Sequence, residues 1–239
     1  MSFKNIHFIL HKPQLSENIG LCARSMKNFN FLNLILIEPK PTFPNDKILA
    51  TSVGAKEIVK NAKVYKNLEK SLPKFDCLIA TSSRFRNKNV EHISLENLCE
   101  IDFKKSIAFL FGSEASGLTN NEISYANYTM SIPANSNFKS LNLSHSVSIV
   151  AYNLFRILNL KKIKFNKSKK IQNASKNNII NLVNFCISKL NEKNFFHPKE
   201  KKAKMMNNLR SIFYRMDLSE KEIRILSSVF AGLSKKNVH

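Results

Sequence analysis

The sequence predicts an α/β fold in which helices cover both faces of a mainly parallel β-sheet. In the first two thirds of the 239-residue chain, short β-rich segments alternate with segments of helical spacing. Several β-rich segments are continuously apolar, as expected for parallel strands that are buried on both faces. With 43% apolar and 23% charged residues, the chain has the composition of a globular protein that can bury a sizeable core.

Five segments predict the strands, and segments between and after them predict the helices. Strands are expected at residues 6–10, 34–38, 77–81, 107–111 and 129–132. Helical spacing of apolar residues occurs over residues 18–29, 55–62, 95–100 and 143–160. The last of these segments should form the longest helix of this part of the chain.

The rest of the chain predicts a linker and a small helical extension. Residues 161–175 are polar and lysine-rich, which favours a linker between a domain of residues 1–160 and an extension of residues 176–239. An amphipathic helix is expected over residues 179–190.

Two further helices are predicted in the extension. Pro198 suits the first turn of a helix that runs on through Phe213. Another helix should begin near Ser219, which can form a capping box with Glu222.

The chain has a net charge of +21, and its basic residues are unevenly placed. After residue 160 lie 19 of the 38 basic residues but only 5 of the 17 acidic ones. Such a balance is typical of proteins that bind a polyanion. The alternative is a compositional bias towards Lys and Asn, and the uneven placement favours binding.

The cysteines and the apolar segments exclude several classes of protein. Cys22, Cys77, Cys99 and Cys186 have none of the spacings of a zinc site, so we expect no metal and buried thiols in a reducing cytoplasm. Since no stretch of about 18 apolar residues occurs, neither a signal peptide nor a membrane span is predicted.

A first candidate motif follows the first predicted strand. Asn18 and Gly20 suit the opening turn of a helix, whose free N–H groups attract anions. Arg24 lies one turn further along and carries a permanent charge that can hold a phosphate. The alternative is an ordinary helix start with a solvated arginine.

A second motif, FLFGSEASGL, covers residues 109–118 and holds two of the five glycines. Glycine at the end of a buried strand lets the backbone approach a ligand closely. Glu114 could contact a substrate or brace Arg24. The alternative is a strand-to-helix turn, with Thr119 and Glu122 capping the next helix. Because the chain lacks G-x-G-x-x-G here, a dinucleotide site is poorly supported.

A third motif, IPANSNFKSLNLS, covers residues 132–144 and precedes the long helix. Ser140, Asn142 and Ser144 alternate with leucines and offer polar groups to a small cofactor. The alternative is that Asn142 or Ser144 caps the helix. Phe138 could stack on an RNA base, or pack in the core or anchor the loop, and the same holds for Phe85.

The order of these motifs resembles that of the SpoU (TrmH-like) group of SPOUT methyltransferases. The patterns N-x-G-x-x-x-R, L-F-G-S-E-x-x-G-L and I-P-x-N-x-x-x-x-S-L-N-L-S follow one another within residues 3–158. Within the group the chain is most similar to the TrmJ branch, which methylates the ribose of tRNA nucleotide 32. That finer resemblance includes TSSRFR at residues 81–86 and the helical extension with its His197-Pro198 pair.

The resemblance implies a trefoil knot, a homodimer and S-adenosylmethionine as the cofactor. The family's functional positions fall on Asn18, Arg24, Glu114, Ser140 and Asn142. Its cofactor pocket falls on Thr81, Ser82, Ser83, Leu110, Gly112, Glu114, Ile132, Pro133, Leu141, Asn142 and Ser144. RNA contacts are expected from Arg24, Arg84, Arg86, Lys88 and the basic segment of residues 161–170.

Other functions also fit the sequence. A ribosomal RNA ribose methyltransferase would share the three motifs. A non-catalytic RNA-binding protein of the same fold would need only the charge and would bind no cofactor. A nucleotide-binding oxidoreductase would need a glycine-rich first turn, where this chain has Gly20 alone.

Overall fold

Short apolar segments pair side by side in the computed structural model, which describes residues 3–83, 90–159 and 173–234. Within these residues the strands are β1 (Ile6–His11), β2 (Asn33–Ile37), β3 (Lys63–Tyr65), β4 (Cys77–Thr81), β5 (Glu91–Ile93), β6 (Ile107–Phe111) and β7 (Tyr128–Met130). They form one sheet in the order β3-β2-β1-β6-β4-β7-β5, and all neighbours are parallel. The predicted mainly parallel sheet is confirmed.

Two strands at the edges of the sheet, β3 and β5, have no counterpart among the five predicted strands. Each has only three residues, and most of these residues are exposed. A short exposed strand lacks the continuous apolar run that marks the central strands, and short edge strands are common in natural sheets. The five predicted strands all occur, with ends that differ by at most two residues.

The described helices lie on both sides of this sheet. They are α1 (Ser16–Asn28), α2 (Asp46–Thr51), α3 (Lys56–Lys60), α4 (Asn120–Ile123), α5 (Leu143–Asn159), α6 (Lys176–Glu192), α7 (Lys202–Arg215) and α8 (Glu220–Ser234). The segment predicted as a helix over residues 95–100 is a short 3₁₀ helix, Glu96–Glu100. A second 3₁₀ helix, Glu69–Lys74, contains Pro73 and was not predicted.

Alternate residues of the strands point to two separate core clusters. In β1, Phe8 and Leu10 pack with α1, α2, α3 and α5, whereas Ile9 packs with the 3₁₀ helix Glu69–Lys74 and with α6 to α8. Gly20 lies where α1 and α2 cross, because a Cβ there would be 2.0 Å from Thr51 Oγ1. Its small size therefore serves helix packing.

The helices after residue 173 pack against the strand-bearing part of the chain. Lys176 of α6 is fully buried, and its Nζ donates to Asn127 Oδ1 at 2.7 Å. Asn127 Nδ2 donates to the Tyr214 carbonyl oxygen at 2.7 Å. At the end of the predicted linker, Ala174 is buried and its N–H donates to the Leu218 carbonyl oxygen. The predicted domain division and the predicted knot both remain predictions.

Two local predictions for the extension have different outcomes. Ser219 and Glu222 form the predicted capping box, with Ser219 N–H donating to Glu222 Oε2 at 2.7 Å. Pro198, however, is extended (φ −70°, ψ 157°) and precedes a 3₁₀ turn, so the α-helix begins later, at Lys202. The prediction that Pro198 lies in the first helical turn is wrong because its ψ lies outside the helical range.

Two further predictions concern membrane spans and the cysteines. None of the helices in the described parts of the chain is long and apolar enough to cross a membrane. Cys22, Cys77 and Cys186 are buried as expected, but Cys99 is exposed, which corrects the prediction for that thiol.

Candidate functional site

A cleft of about 440 Å³ opens at the carboxyl ends of β4, β6 and β7. This is the edge at which open parallel sheets place their ligands. The three segments that line it follow β4, follow β6 and precede α5. Of the predicted site residues, those that line the cleft are Thr81, Ser82, Ser83, Gly112, Glu114, Ile132, Ser140 and Leu141.

Four residues predicted for the cofactor pocket do not line this cleft. Leu110 is fully buried in β6, and its carbonyl oxygen accepts a hydrogen bond from Thr81 Oγ1 at 3.0 Å. Pro133 is exposed in the loop before α5. Asn142 and Ser144 are bonded to each other at the start of α5. These residues adjoin the lining residues in sequence and support the segments that carry them.

A tight turn after β6 requires glycine at two positions. A Cβ on Gly112 would lie 2.3 Å from the Gly117 carbonyl carbon, so the two backbone segments approach too closely for any side chain. Gly117 has a φ of +66°, the left-handed region that favours glycine. Gly117 N–H donates to the Ser113 carbonyl oxygen at 2.9 Å. This turn holds Glu114 over the amino end of α1.

The Glu114 carboxylate binds the segment that enters α1. It accepts hydrogen bonds from Gln14 N–H at 2.9 Å, from Leu15 N–H at 3.3 Å and from Asn18 Nδ2 at 2.8 Å. The sequence predicted that an anion is welcome at this helix end, and in the structure that anion is Glu114 itself. Of the two roles considered for Glu114, bracing of Arg24 has no hydrogen bond or ion pair to support it among the described residues.

Asn18 and Asn142 continue this network to the long helix. Asn142 Nδ2 donates to Asn18 Oδ1 at 3.1 Å. Asn142 Oδ1 accepts from Ser144 N–H at 2.8 Å and from Ser144 Oγ at 2.7 Å, so Asn142 caps α5. The capping alternative for the third motif is thus confirmed. One chain of hydrogen bonds joins all three motifs, although Asn18 and Asn142 lie 124 residues apart.

The remaining predicted residues have different surroundings. Arg24 is exposed on α1, outside the cleft lining. Ser140 is exposed and lines the cleft. The predicted RNA contacts Arg84, Arg86 and Lys88, together with Phe85 and residues 161–170, lie outside the described residues.

Two ionisable groups near the sheet's carboxyl edge are not part of the cleft. His11 ends β1, is buried, and has its Nδ1 3.4 Å from Glu122 Oε1. Burial lowers the pKa of His11, and the Glu122 carboxylate opposes that effect.

Among the residues described, no three His, Cys, Asp or Glu side chains are grouped so that they could hold a metal ion.

Several residues of the cleft and its support were not predicted. Ser113, Ser116, Asn137, Lys139 and Ser146 also line the cleft, as does Phe138, for which base stacking was one of the predicted roles. Most of them lie inside the predicted motifs, so their position in those segments was the available signal. Asn127 and Lys176 have no such signal, because neither belongs to a motif and the pairing of one with the other depends on how α6 packs.

Comparison with known proteins shows the family. The model of the SpoU rRNA Methylase family matches residues 5–152. An uncharacterized tRNA/rRNA methyltransferase of Haemophilus influenzae is 31% identical over 98% of this chain and 96% of its own length. The tRNA (cytidine-2′-O-)-methyltransferase TrmJ of Methanocaldococcus jannaschii is 32% identical over 94% of this chain and 98% of its own length.

A solved structure agrees with these relatives. The crystal structure of TrmJ from Z. mobilis ZM4 superposes with a TM-score of 0.85 at 26% identity and covers 96% of this chain and 99% of that one. The resemblance inferred from the three motifs is confirmed, and the similarity extends through the C-terminal helices. The chain is therefore a member of the SpoU rRNA methylase family and is similar to TrmJ methyltransferases along its whole length.

Proposed function

We propose that this protein is a homodimeric, S-adenosylmethionine-dependent 2′-O-methyltransferase that acts on the ribose of nucleotide 32 in the anticodon loop of tRNA. The observation that carries the proposal is a cleft lined by the second and third motif segments, to which the first motif is joined by the hydrogen bonds of Asn18 with Glu114 and Asn142. The choice of tRNA is supported by full-length similarity to relatives whose names state that activity.

The cleft suits a cofactor of this size and chemistry. Its volume of about 440 Å³ lies within the range of about 300–1,000 Å³ that is usual for small-molecule sites. Ile132 and Leu141 offer apolar surface to a purine ring, while Thr81, Ser82 and Ser83 offer hydroxyl and backbone groups. S-adenosylmethionine, when bound, would supply a methyl group on a positively charged sulfur. The protein must then mainly position the ribose hydroxyl and provide a route for its proton.

Glu114 acts in this proposal as a positioning residue. Its oxygens already accept hydrogen bonds from two backbone N–H groups and from Asn18. A carboxylate that holds a helix entrance in this way is poorly placed to take a proton from the substrate. Asn18 and Asn142 are likewise occupied with each other, so both also fix the relative position of the motif segments.

Of the predicted catalytic and RNA-binding residues that the structure describes, Arg24 and Ser140 are exposed and available to RNA. Arg24 is exposed on α1 and can hold the phosphate beside the target ribose with its guanidinium. Ser140 is exposed in the cleft and can bond the ribose hydroxyl. Because arginine is too basic to accept a proton at neutral pH, we assign that step to the substrate phosphate.

The proposed homodimer is supported by an aromatic patch in which Tyr152 and Phe155 are exposed and flank the half-buried Phe29. The Phe29 ring centroid lies 5.8 Å from that of Tyr152 and 5.9 Å from that of Phe155. Tyr152 is 55% exposed and Phe155 is 37% exposed. A contiguous apolar surface of this kind is typical of a protein interface.

A methyl-transfer assay with labelled S-adenosylmethionine tests the function. Total tRNA and total ribosomal RNA serve as separate substrates, and the ribose-methylated nucleotide is then mapped. We expect label at nucleotide 32 of tRNA. Label on ribosomal RNA alone would support the proposed methyl transfer but contradict tRNA as the substrate. Absence of both label and cofactor binding would favour the non-catalytic alternative.

The Arg24→Ala variant tests the proposed phosphate contact in the same assay. We expect kcat/KM for tRNA to fall about 100-fold, the order of loss caused by misplacing a reacting group, with cofactor affinity unchanged. Lys27→Ala, which removes a charge from the same helix, is the matched control and should retain activity. Wild-type turnover by Arg24→Ala with normal RNA binding would show that Arg24 does not hold the substrate.

A further inference from the structure

Phe138 is a large aromatic side chain that is exposed at the rim of the cleft. It is 75% exposed and lines the cleft beside Lys139 and Ser140. Within the described residues no other aromatic ring lies in stacking contact with it. Its exposure contradicts the two structural alternatives drawn from the sequence, packing in the core or anchoring the loop. The ring is therefore available to a ligand.

The backbone around Phe138 is ordered without help from the ring. Phe138 N–H donates to the Asn135 carbonyl oxygen at 2.9 Å, which closes a turn. Asn137 N–H donates to Asn135 Oδ1 at 2.9 Å, which fixes the start of the same turn. Because polar contacts hold the loop, the aromatic ring has no structural task of its own in this part of the chain.

The neighbours of Phe138 indicate what chemistry the ring meets. Lys139 is exposed and lines the same cleft, so the next residue along the chain brings a positive charge to the rim that carries the ring. Single-stranded RNA is bound through this combination, because unpaired bases stack on aromatic rings while lysine or arginine meets the phosphates. The net charge of +21 is consistent with such a ligand.

We propose that Phe138 stacks on an unpaired base next to the ribose that is methylated, and that Lys139 contacts the adjoining phosphate. This inference rests on the proposed function and deepens it by naming a positioning residue for the RNA. Bases of a tRNA anticodon loop are unpaired, whereas those of a duplex are not available for stacking. The protein therefore selects loop nucleotides partly by presenting this ring beside the cleft.

Two substitutions at Phe138 separate the role of the ring from that of apolar volume. Phe138→Ala removes the ring, and Phe138→Tyr keeps it. Val64→Ala is the control, since Val64 is 51% exposed on β3, at the opposite edge of the sheet from β5. The measurements are KM for tRNA, kcat, and the S-adenosylmethionine Kd by calorimetry.

We expect Phe138→Ala to raise KM for tRNA about 10-fold, within the range that one base–aromatic stack contributes. The cofactor Kd should stay unchanged, and Phe138→Tyr and Val64→Ala should behave as the wild type. An unchanged KM for tRNA would overturn the inference. A weakened cofactor Kd with unchanged RNA affinity would also overturn it and would place the ring over the cofactor.

A binding measurement keeps this test separate from that of the proposed function. Fluorescence anisotropy with a labelled anticodon stem–loop needs no methyl transfer. If the wild type transfers no methyl group but Phe138→Ala still weakens stem–loop binding, the stacking role stands and the proposed activity fails. If the wild type methylates tRNA and the variant binds equally well, the activity stands and the stacking role fails.

Discussion

At the scale of single residues, Lys176 is unusual because its ammonium group is fully buried, and removing that charge from water costs free energy of folding. Its Nζ has Asn127 Oδ1 as a hydrogen-bond acceptor and lies 4.3 Å from the Tyr214 ring centroid. Burial lowers the pKa of Lys176 from 10.5 to about 7, while Cys77 and Asp217 oppose the shift. The group that docks α6 is thus partly neutral near pH 7.

This pKa makes folding stability depend on pH. Below pH 7 the folded and unfolded chains both hold the proton, and the cost of burying the charge is fully present. Between pH 7 and 10.5 the unfolded chain holds a proton that the folded chain has released, so the free energy of unfolding rises with pH. The expected rise approaches about 1 kcal/mol per pH unit. Lys176→Met should abolish it, because methionine does not titrate.

Urea unfolding at pH 7, 7.5 and 8 measures this rise. The window lies above the ordinary histidine pKa of 6.5 and below the ordinary cysteine pKa of 9.0. Closer to pH 9 the thiols of the unfolded chain ionise, while burial raises the pKa of Cys22, Cys77 and Cys186 in the folded chain, so the cysteines oppose the rise there. Lys189→Met, on the same helix but partly exposed beside Glu192, is the control and should retain the rise. Equal pH slopes for the wild type and Lys176→Met would contradict the assignment.

At the scale of elements, the turn between β6 and α4 decides whether the cleft can form. Gly112→Ala would place a Cβ 2.3 Å from the Gly117 carbonyl carbon and 2.5 Å from the Leu118 nitrogen. Both contacts are with backbone, so the turn must open and Glu114 must move. We expect a loss of stability of about 1–3 kcal/mol or more, together with loss of cofactor binding.

Gly117→Ala is the matched change in the same turn. No atom lies within 4 Å of a Cβ built there, and only the left-handed backbone is unfavourable for alanine. That conformation costs roughly 1–2 kcal/mol, and the cleft should keep its affinity for S-adenosylmethionine. Thermal unfolding and calorimetry compare the two variants. Equal cofactor affinities in both would show that the close approach at Gly112 does not shape the site.

At the scale of the whole molecule, the aromatic patch of Phe29, Tyr152 and Phe155 locates the proposed dimer interface. Tyr152→Glu places a charge on the most exposed ring of that patch, and burying an unpaired charge opposes association. We expect sedimentation equilibrium to give twice the chain mass of 27.4 kDa for the wild type and the single mass for the variant.

A second exposed apolar position provides the control for that experiment. Val229 on α8 is 45% exposed and lies outside the aromatic patch. Val229→Glu should remain a dimer. If Val229→Glu dissociates and Tyr152→Glu does not, the interface lies on α8 instead, and a monomeric wild type would contradict the proposed homodimer.

The central strands could be predicted because a strand buried on both faces must be apolar along its length, as in Ile107–Phe111. The edge strands could not, since Lys63–Tyr65 meets solvent and its composition resembles that of a loop. Helix capping was also predictable, because the partners lie within one helical turn of each other. Thr119 pairs in this way with Glu122, and Ser219 with Glu222.

The site motifs were visible in sequence because each is a short segment whose composition departs from its surroundings. The sequence did not indicate which residues of these motifs contact each other. Glu114 and Asn18 are 96 residues apart, and Lys176 and Asn127 are 49 apart. Nothing local marks such partners, because the order of strands in the sheet brings β1 beside β6 and the packing of α6 brings Lys176 to Asn127. Local chemistry therefore suffices for elements and motifs, whereas the contacts that assemble them into a cleft arise from long-range chain topology.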